Sequence, residues 1–389
     1  MRKIYFSSLA VLFAFSGQQM TVAQPLEFGK ADDQYGKLTI SGFLRAKFQD
    51  KSWTDNDHKI LFDAARLNVD YEKDQFFSHI EYRCYQYDQL CDFSSLVDGY
   101  IGYHFNKHDH LKLGVQSMPF GPGRFWESNY YGGINTQFGL EDVHNLGLNY
   151  HFKPLSHTSF DLGFFATDAG HYRGESKDAG RYSANYVKPN DPEVSQLQEK
   201  NMWVGRVQHD LQILQNDTMS SSIGASYWTS DIENKTTNKT GSRRAWSIFG
   251  QFGYEDFNLS MVAGQNKVDN KDVLNEHYSL MGSFDDNYWV ANEGDFYTVD
   301  ISYQFKDVLG MNKISPYAMY SSYLKSENDD HDSYRNLIGV SMYKKNHTFV
   351  VEYIMGKNDF LIGGDAHSYA QGMSSNSEQL LNLQYLYNF

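Results

Sequence analysis

Residues 381–389 read LNLQYLYNF, and their pattern decides how the rest of the chain is read. Leu381, Leu383, Tyr385, Tyr387 and Phe389 are apolar or aromatic. Asn382, Gln384 and Asn388 alternate with them, and Leu386 alone breaks the polar set. A period of two is the signature of a β-strand with one apolar face. Left at the edge of a soluble sheet, such a strand would present an unpaired hydrophobic edge, so the pattern calls for a partner strand.

The opposite end limits where that partner strand can lie. MRKIYFSSLAVLFAFSGQQMTVAQ carries Arg2 and Lys3, an apolar stretch from Ile4 to Phe15, and Thr21-Val22-Ala23 before a polar region. This three-part arrangement predicts a secretory signal peptide over residues 1–23, read by the general export pathway. The apolar run is too short for a spanning helix, and no Cys near the cut offers a lipid anchor. Loss of two bases and no acid takes the formal charge from −14 to −16, which argues against sequence-independent nucleic-acid binding. No later apolar run reaches helical span length, no Pro- or Ser-rich linker divides the chain and no helical periodicity follows the signal, so residues 24–389 are expected to form one domain.

The alternation recurs sixteen times. In LTISGFLRAKF, Leu38, Ile40, Leu44, Ala46 and Phe48 oppose Thr39, Ser41, Arg45 and Lys47. In DFYTVDISYQFK, Tyr297, Val299, Ile301, Tyr303 and Phe305 oppose Thr298, Asp300, Ser302 and Gln304. Soluble sandwiches alternate too, so the connections carry the distinction. Short links (EKDQ, NKHD, KPLSH, LQND, YED, DVLGMNK, KKNH) alternate with long ones at 50–57, 119–142, 168–200, 230–242, 267–294, 326–334 and 357–377; the link near 86–90 is short. Short turns on one side, long loops on the other and an even strand count predict an all-β, sixteen-stranded antiparallel transmembrane barrel with its N-terminus periplasmic. Closure also satisfies every backbone polar group within hydrocarbon. Aromatics near strand ends, such as Phe76, Phe105, Phe152 and Phe305, suit interfacial girdles.

The last nine residues resemble the C-terminal signal by which bacterial outer-membrane barrels meet their assembly machinery, with Tyr385, Tyr387 and Phe389 carrying the likeness. Length, strand number and loop rhythm resemble the bacterial porins. Within them, LKLGVQSMPFG, through Gly114, Pro119, Phe120 and Gly121, is similar to a strand-to-loop segment of the phosphate-selective porin O/P family. The resemblance implies a water-filled channel for small hydrophilic solutes or ions in a Gram-negative outer membrane. It also implies contact with lipid and lipopolysaccharide, a homotrimer, and no cofactor.

Porins of this kind fold the loop after strand five into the lumen. Here that loop, 119–142, holds Arg124, Glu127, Glu141 and Asp142 and is the expected constriction. Strand phase sends Arg45, Lys47, Arg66 and Arg83 inward as a basic ladder, with Lys112 two strands further on, because charges facing mid-membrane lipid cost roughly 2–4 kcal/mol. Keeping Asp63 inward while Ile60 and Phe62 face out requires a bulge, expected at Ala64-Ala65. Basic wall against acidic loop would set a transverse field that biases permeation. Cys84 and Cys91 are the only cysteines; a hairpin turn centred on Tyr87-Asp88 sets them directly opposite, within bridging range of each other.

Other groupings are weaker. His104, His108 and His110 straddle a turn, and their spacing fixes no closed metal-ligand set. The acidic 328–332 stretch reads as a solvated loop tip, and the NKT triplets carry no weight. An outer-membrane enzyme is the competing class, yet Ser78-His79 and His367-Ser368 have no evident third partner and no nucleophile elbow or zinc motif occurs. A loop-based receptor or adhesin is the third class, although only residues 24–35 precede the first strand and leave no room for a large plug domain.

Overall fold

The computed structural model describes residues 25–54, 60–87, 89–125, 129–169, 181–211 and 219–389; the expected signal peptide lies outside them. Sixteen antiparallel strands form the wall. They are β1 (Lys37–Lys51), β2 (Ile60–Lys73), β3 (Phe76–Tyr85), β4 (Phe93–His104), β5 (His110–Ser117), β6 (His144–Leu155), β7 (Thr158–Asp168) and β8 (Leu197–Asp210). The second half is β9 (Met219–Asn234), β10 (Lys239–Tyr254), β11 (Phe257–Asp269), β12 (Glu293–Tyr303), β13 (Met311–Lys325), β14 (Ser333–Lys344), β15 (His347–Lys357) and β16 (Ser377–Asn388). Phe305–Val308 continues β12, and Leu26–Phe28 adds a short pairing on β1.

Each strand pairs with its chain neighbours, and β16 pairs with β1 to close the ring: Tyr387 lies opposite Leu44 and Tyr385 opposite Ala46. Phe389 completes the seam by exchanging two backbone hydrogen bonds with Gly42, at 2.9 and 3.0 Å. A Cβ on Gly42 would fall 2.1 Å from the Arg66 carbonyl oxygen and 2.8 Å from the Phe389 ring, so only glycine fits between the closing strands. The terminal strand is thus not an edge.

Alternation sorts the side chains. Leu67, Ile80, Ile101, Leu113, Leu148, Ile248, Ile301 and Ile338 are exposed on the outer surface, where lipid would cover them. Next to the short turns a ring-to-ring chain runs Phe76–Tyr103–Phe105–Tyr150–Phe152–Phe160, with centroids 5.0–5.9 Å apart. Tyr385 meets Phe349 at 5.2 Å on the same rim. Amphipathic rings at one height on successive strands are what a water–lipid interface selects.

Three expectations need correction. The 230–242 loop is mostly strand, because β9 and β10 stay paired to Asn234 opposite Lys239. Four residues make the turn, since the Asn234 side-chain oxygen accepts from the Thr236 and Thr237 amides and Asn238 takes a positive φ. The β3–β4 hairpin is shifted: Cys84 pairs with Ser94 and Tyr85 with Phe93, so Cys84 and Cys91 are not opposed strand residues. In the connection Asp92 draws the chain together, its carboxylate accepting from the Tyr87 and Gln89 amides. Cys91, at positive φ, is thereby carried back to Cys84, and the two form a disulfide with Cα atoms 4.9 Å apart. Finally, the β2 bulge falls at Asp63, opposite the Arg45–Ala46 step, one position before the expected site.

Candidate functional site

The lumen is where the wall, the loops and the charged residues converge. Residues 118–125 and 129–143 turn inward from β5 and lie along the inner face of the far wall. The Gly121 amide donates to Ser226 on β9 at 2.9 Å, and Arg206 on β8 donates to the Gly121 carbonyl at 2.8 Å. Farther on, Arg243 of β10 donates to the Phe138 and Gly139 carbonyls, both at 3.0 Å. Asn135 donates to Thr298 on β12, the Ile134 amide to Ser321 on β13, and the Tyr130 amide to Glu352 on β15. Phe138 stacks on Tyr323 with centroids 3.8 Å apart. Backbone polar groups of an inward loop must find partners away from bulk water, and inward-facing wall residues supply them.

Other loop segments pack on this one. The hairpin Tyr278–Ser283 and Asp286–Ala291 joins Asn185–Tyr186 in a three-stranded sheet. Its tip, Phe284, reaches Tyr85 and Phe93 from the β3–β4 side and Tyr182, with centroids 5.3–5.7 Å apart. From the last loop, Tyr369 meets Phe138 and Tyr288. Phe138, Leu140, Tyr186, Met281, Tyr288 and Tyr369 are buried together. The loop-side half of the barrel therefore has a hydrophobic core of its own.

Two buried arginines pin this core. Arg335 on β14 is fully buried and donates to both carboxylate oxygens of Asp359, at 2.6 and 2.7 Å. It also reaches the Gly132 and Gly133 carbonyls at 3.4 and 3.3 Å. Arg243 pairs with Glu199 at 3.3 Å and lies over the Trp228 ring. Glu352 accepts from Tyr130, Tyr317 and Asn382 at 2.7–2.8 Å. Sequence reasoning missed these three anchors, although the strand phase that sends Arg83 inward sends them inward too.

The basic residues expected on the wall occupy the side away from the loop's long run. Arg45 and Lys47 both pair with Asp63. Arg66 lies over the Phe43 ring, 4.7 Å from its centroid. Arg83 is buried, pairs with Glu81 and donates to the Tyr182 hydroxyl at 3.1 Å. Lys112 points inward over Tyr100 at 4.7 Å. Arg45, Lys47, Arg66 and Lys112 stay half-buried.

The acids of the loop do not simply face that wall. Glu127 lies outside the described residues. Asp142 pairs with Arg124 of its own loop at 2.7 Å, with His144 at 3.0 Å, and accepts from the Tyr182 hydroxyl at 2.8 Å. Burial alone would raise its pKa, but Arg124 and His144 overcome that and hold the carboxyl well below its usual range. Glu141 lies instead at the β12–β13 wall, where one carboxylate oxygen accepts from the Phe125 amide at 3.0 Å. Its other oxygen is buried without a hydrogen-bond partner among the described residues. Burial pushes Glu141 up to about 8; the Phe125 amide offsets part of this, and Asp142 and Asp300 add to it.

Of the residues weighed for other chemistry, Ser78 and His79 fall on opposite faces of β3, and His367 and Ser368 share no hydrogen bond among the described residues. His104 and His110 are cross-strand neighbours on the inner face, while His108 stays on the exposed turn.

Solved structures of outer-membrane barrels share this fold. The outer-membrane channel DcaP of Acinetobacter baumannii superimposes with a TM-score of 0.61 at 12% identity, covering 93% of this chain and 100% of that one. OmpF of Salmonella typhi, solved with daunomycin, gives 0.61 at 12% identity over 94% and 100%. The anion-selective porin of Comamonas acidovorans gives 0.51 at 11% identity over 90% and 99%. At these identities the likeness is one of fold: a sixteen-stranded barrel like those of porins. No protein-family model matches the chain, and no curated protein matches it in sequence. The phosphate-selective resemblance therefore gains no support from them.

Proposed function

We propose that the chain is an outer-membrane porin, a narrow channel for passive diffusion of small hydrophilic solutes or ions in a Gram-negative envelope. The observation that carries this reading is the division of the lumen. One wall, β8–β15, is covered by the inward residues 118–125 and 129–143, while the β1–β5 wall keeps Arg45, Lys47, Arg66 and Lys112 half-buried beside polar neighbours. Charged side chains lining a constricted aqueous path are how such channels discriminate solutes. The aromatic rim and apolar outer surface support residence in a lipid bilayer, with the short-turn side periplasmic.

In this reading residues 1–23 are the export signal, 24–389 the barrel domain, and 119–142 the constriction. Tyr385, Tyr387 and Phe389 present the assembly signal, and the chain works as a homotrimer among lipopolysaccharide. No catalytic step is assigned. The packed loop-side core favours a restricted pore over a wide one, and it also gives the receptor reading a foothold: a lumen sealed at that level would bind rather than conduct. Single-channel recording of the purified protein in planar bilayers separates them. Discrete, ohmic openings are expected; a silent, correctly folded barrel would refute the channel.

A further inference from the structure

The inner wall carries a group of side chains that the channel reading leaves unused. Glu81 on β3 and Asp98 on β4 are directly opposed across the strand pair. Like charges in that relation destabilise a sheet. Both are buried, and each is held through one oxygen only: Arg83 binds Oε1 of Glu81, and His144 binds Oδ1 of Asp98 at 2.8 Å. Among the described residues no hydrogen bond reaches the second oxygen of either. In the next row His79 is fixed by Asp70, whose Oδ1 lies 2.6 Å from Nδ1, which leaves Nε2 as the ring's other ligand position. One ligand atom from each of His79, Glu81 and Asp98 lies within 4.8 Å of the other two. On β2, opposite Glu81, the side-chain oxygen of Asn68 is buried and has no hydrogen-bond partner among the described residues.

We propose that His79, Glu81 and Asp98 form a lumenal site for a divalent first-row transition-metal ion such as Zn2+, with Asn68 as an additional oxygen donor. One imidazole and two carboxylates are a ligand set such ions accept, and three protein ligands leave a position open for water. Asp70, Arg83 and His144 orient the ligands from behind, the arrangement that fixes a metal-binding imidazole or carboxylate in place. Ligands around a tetrahedral Zn2+ stand about 3.3 Å apart, so the present separation closes by a rotamer-scale shift. A bound dication relieves the repulsion between two opposed carboxylates. It also adds positive charge to the wall that bears Arg66 and Lys112, so an open channel would pass cations less readily once loaded.

The site is tested on the full, refolded barrel in detergent, whose ability to conduct is irrelevant to the first measurement. Titration calorimetry with Zn2+ should show one saturable site per chain that His79→Gln weakens at least tenfold. Asp70→Asn, a change outside the ligand set, should weaken it by about 10–100-fold while the barrel keeps its heat-modifiable migration. Co2+ should give visible absorption bands that both variants diminish. Absence of saturable binding, or binding unchanged in His79→Gln and Asp70→Asn, overturns the proposal. In bilayers, Zn2+ should lower cation conductance of the parent protein and not of His79→Gln; a silent barrel that still binds Zn2+ would refute the channel and leave the metal site standing.

Discussion

Arg335→Met removes the most enclosed of the charges that dock the loops. The guanidinium makes two charge-assisted hydrogen bonds to Asp359, at 2.6 and 2.7 Å, and three longer contacts of 3.3–3.4 Å to Gly132, Gly133 and Tyr369. Charge-assisted bonds contribute about 1.5–3 kcal/mol each, and deleting one partner of a buried pair costs about 3–5 kcal/mol because the other charge is stranded. Here the stranded group is Asp359, fully buried, which among the described residues retains the Tyr369 hydroxyl and the Leu361 amide. The wall hydrogen bonds of β14 do not involve the side chain. The loss should therefore fall on loop docking rather than on the barrel, shifting the docked–released equilibrium by roughly two to four orders of magnitude. Limited proteolysis should cut within 118–143 or 358–376 in the variant while the barrel stays resistant, and single-channel records should become noisier. In Arg335→Met/Asp359→Asn the stranded charge is gone, so proteolysis should return part of the way toward the parent rate. Equal proteolysis of parent and Arg335→Met, or a double variant worse than the sum of the singles, would refute the anchoring argument.

Other tests address the remaining devices. The folded pKa of Glu141 is raised to about 8 from a usual value near 4.5, so inward docking is fully favoured below about pH 4.5. It weakens by about 1.4 kcal/mol per unit as pH rises toward 8; loop proteolysis should rise over that window in the parent and stay flat in Glu141→Gln. Asp142→Asn should remove one negative charge from the loop beside Arg124 and shift the reversal potential toward anions, whereas Glu141→Gln should leave it unmoved at pH 6; the opposite ranking would count against the pairing described. Deleting Phe389 should leave export intact but reduce heat-modifiable, trypsin-resistant barrel, since the Gly42 seam loses two hydrogen bonds; normal barrel yield would argue against a role for that residue. Thiol labelling of the unreduced, denatured chain should find no reactive thiol, and two would exclude the Cys84–Cys91 bridge.

Much of the wall was legible because a closed barrel imposes a strict rule: a strand that alternates has one apolar outer face, and the phase of Ile101 or Ile301 fixes every neighbour. The bulge at Asp63 followed from the same rule, displaced by one residue because either side of Ala64 restores the phase. The β3–β4 register was not legible, since the turn is set by Asp92 capping two amides rather than by a Gly or Asn signal. Residues 230–242 looked like loop because Asn, Lys and Thr are common there, yet at the long-loop end of the barrel a polar hairpin continues the strand pairing as far as Asn234 and Lys239. The candidate site was half visible. Inward phase identifies Arg243, Arg335 and Glu352 as readily as Arg83, but the loop groups they hold lie 24 to 222 residues away, on paths that no local pattern encodes.

The inner core also bears on the order of events during biogenesis. Gly132 and Tyr130 come early in the chain, yet their partners Arg335 and Glu352 arrive some 200 residues later. Strand β1 likewise waits for β16. Contacts of such separation are slow to form, since chain entropy is spent before they reward it. Until the last strands arrive, Phe138, Tyr131 and their neighbours have no wall to pack against, and a nascent chain must carry them unburied. Such a chain depends on being held apart from its copies until the barrel closes, and its rate-limiting step should lie after the wall zips shut, when the loops settle into a finished cylinder.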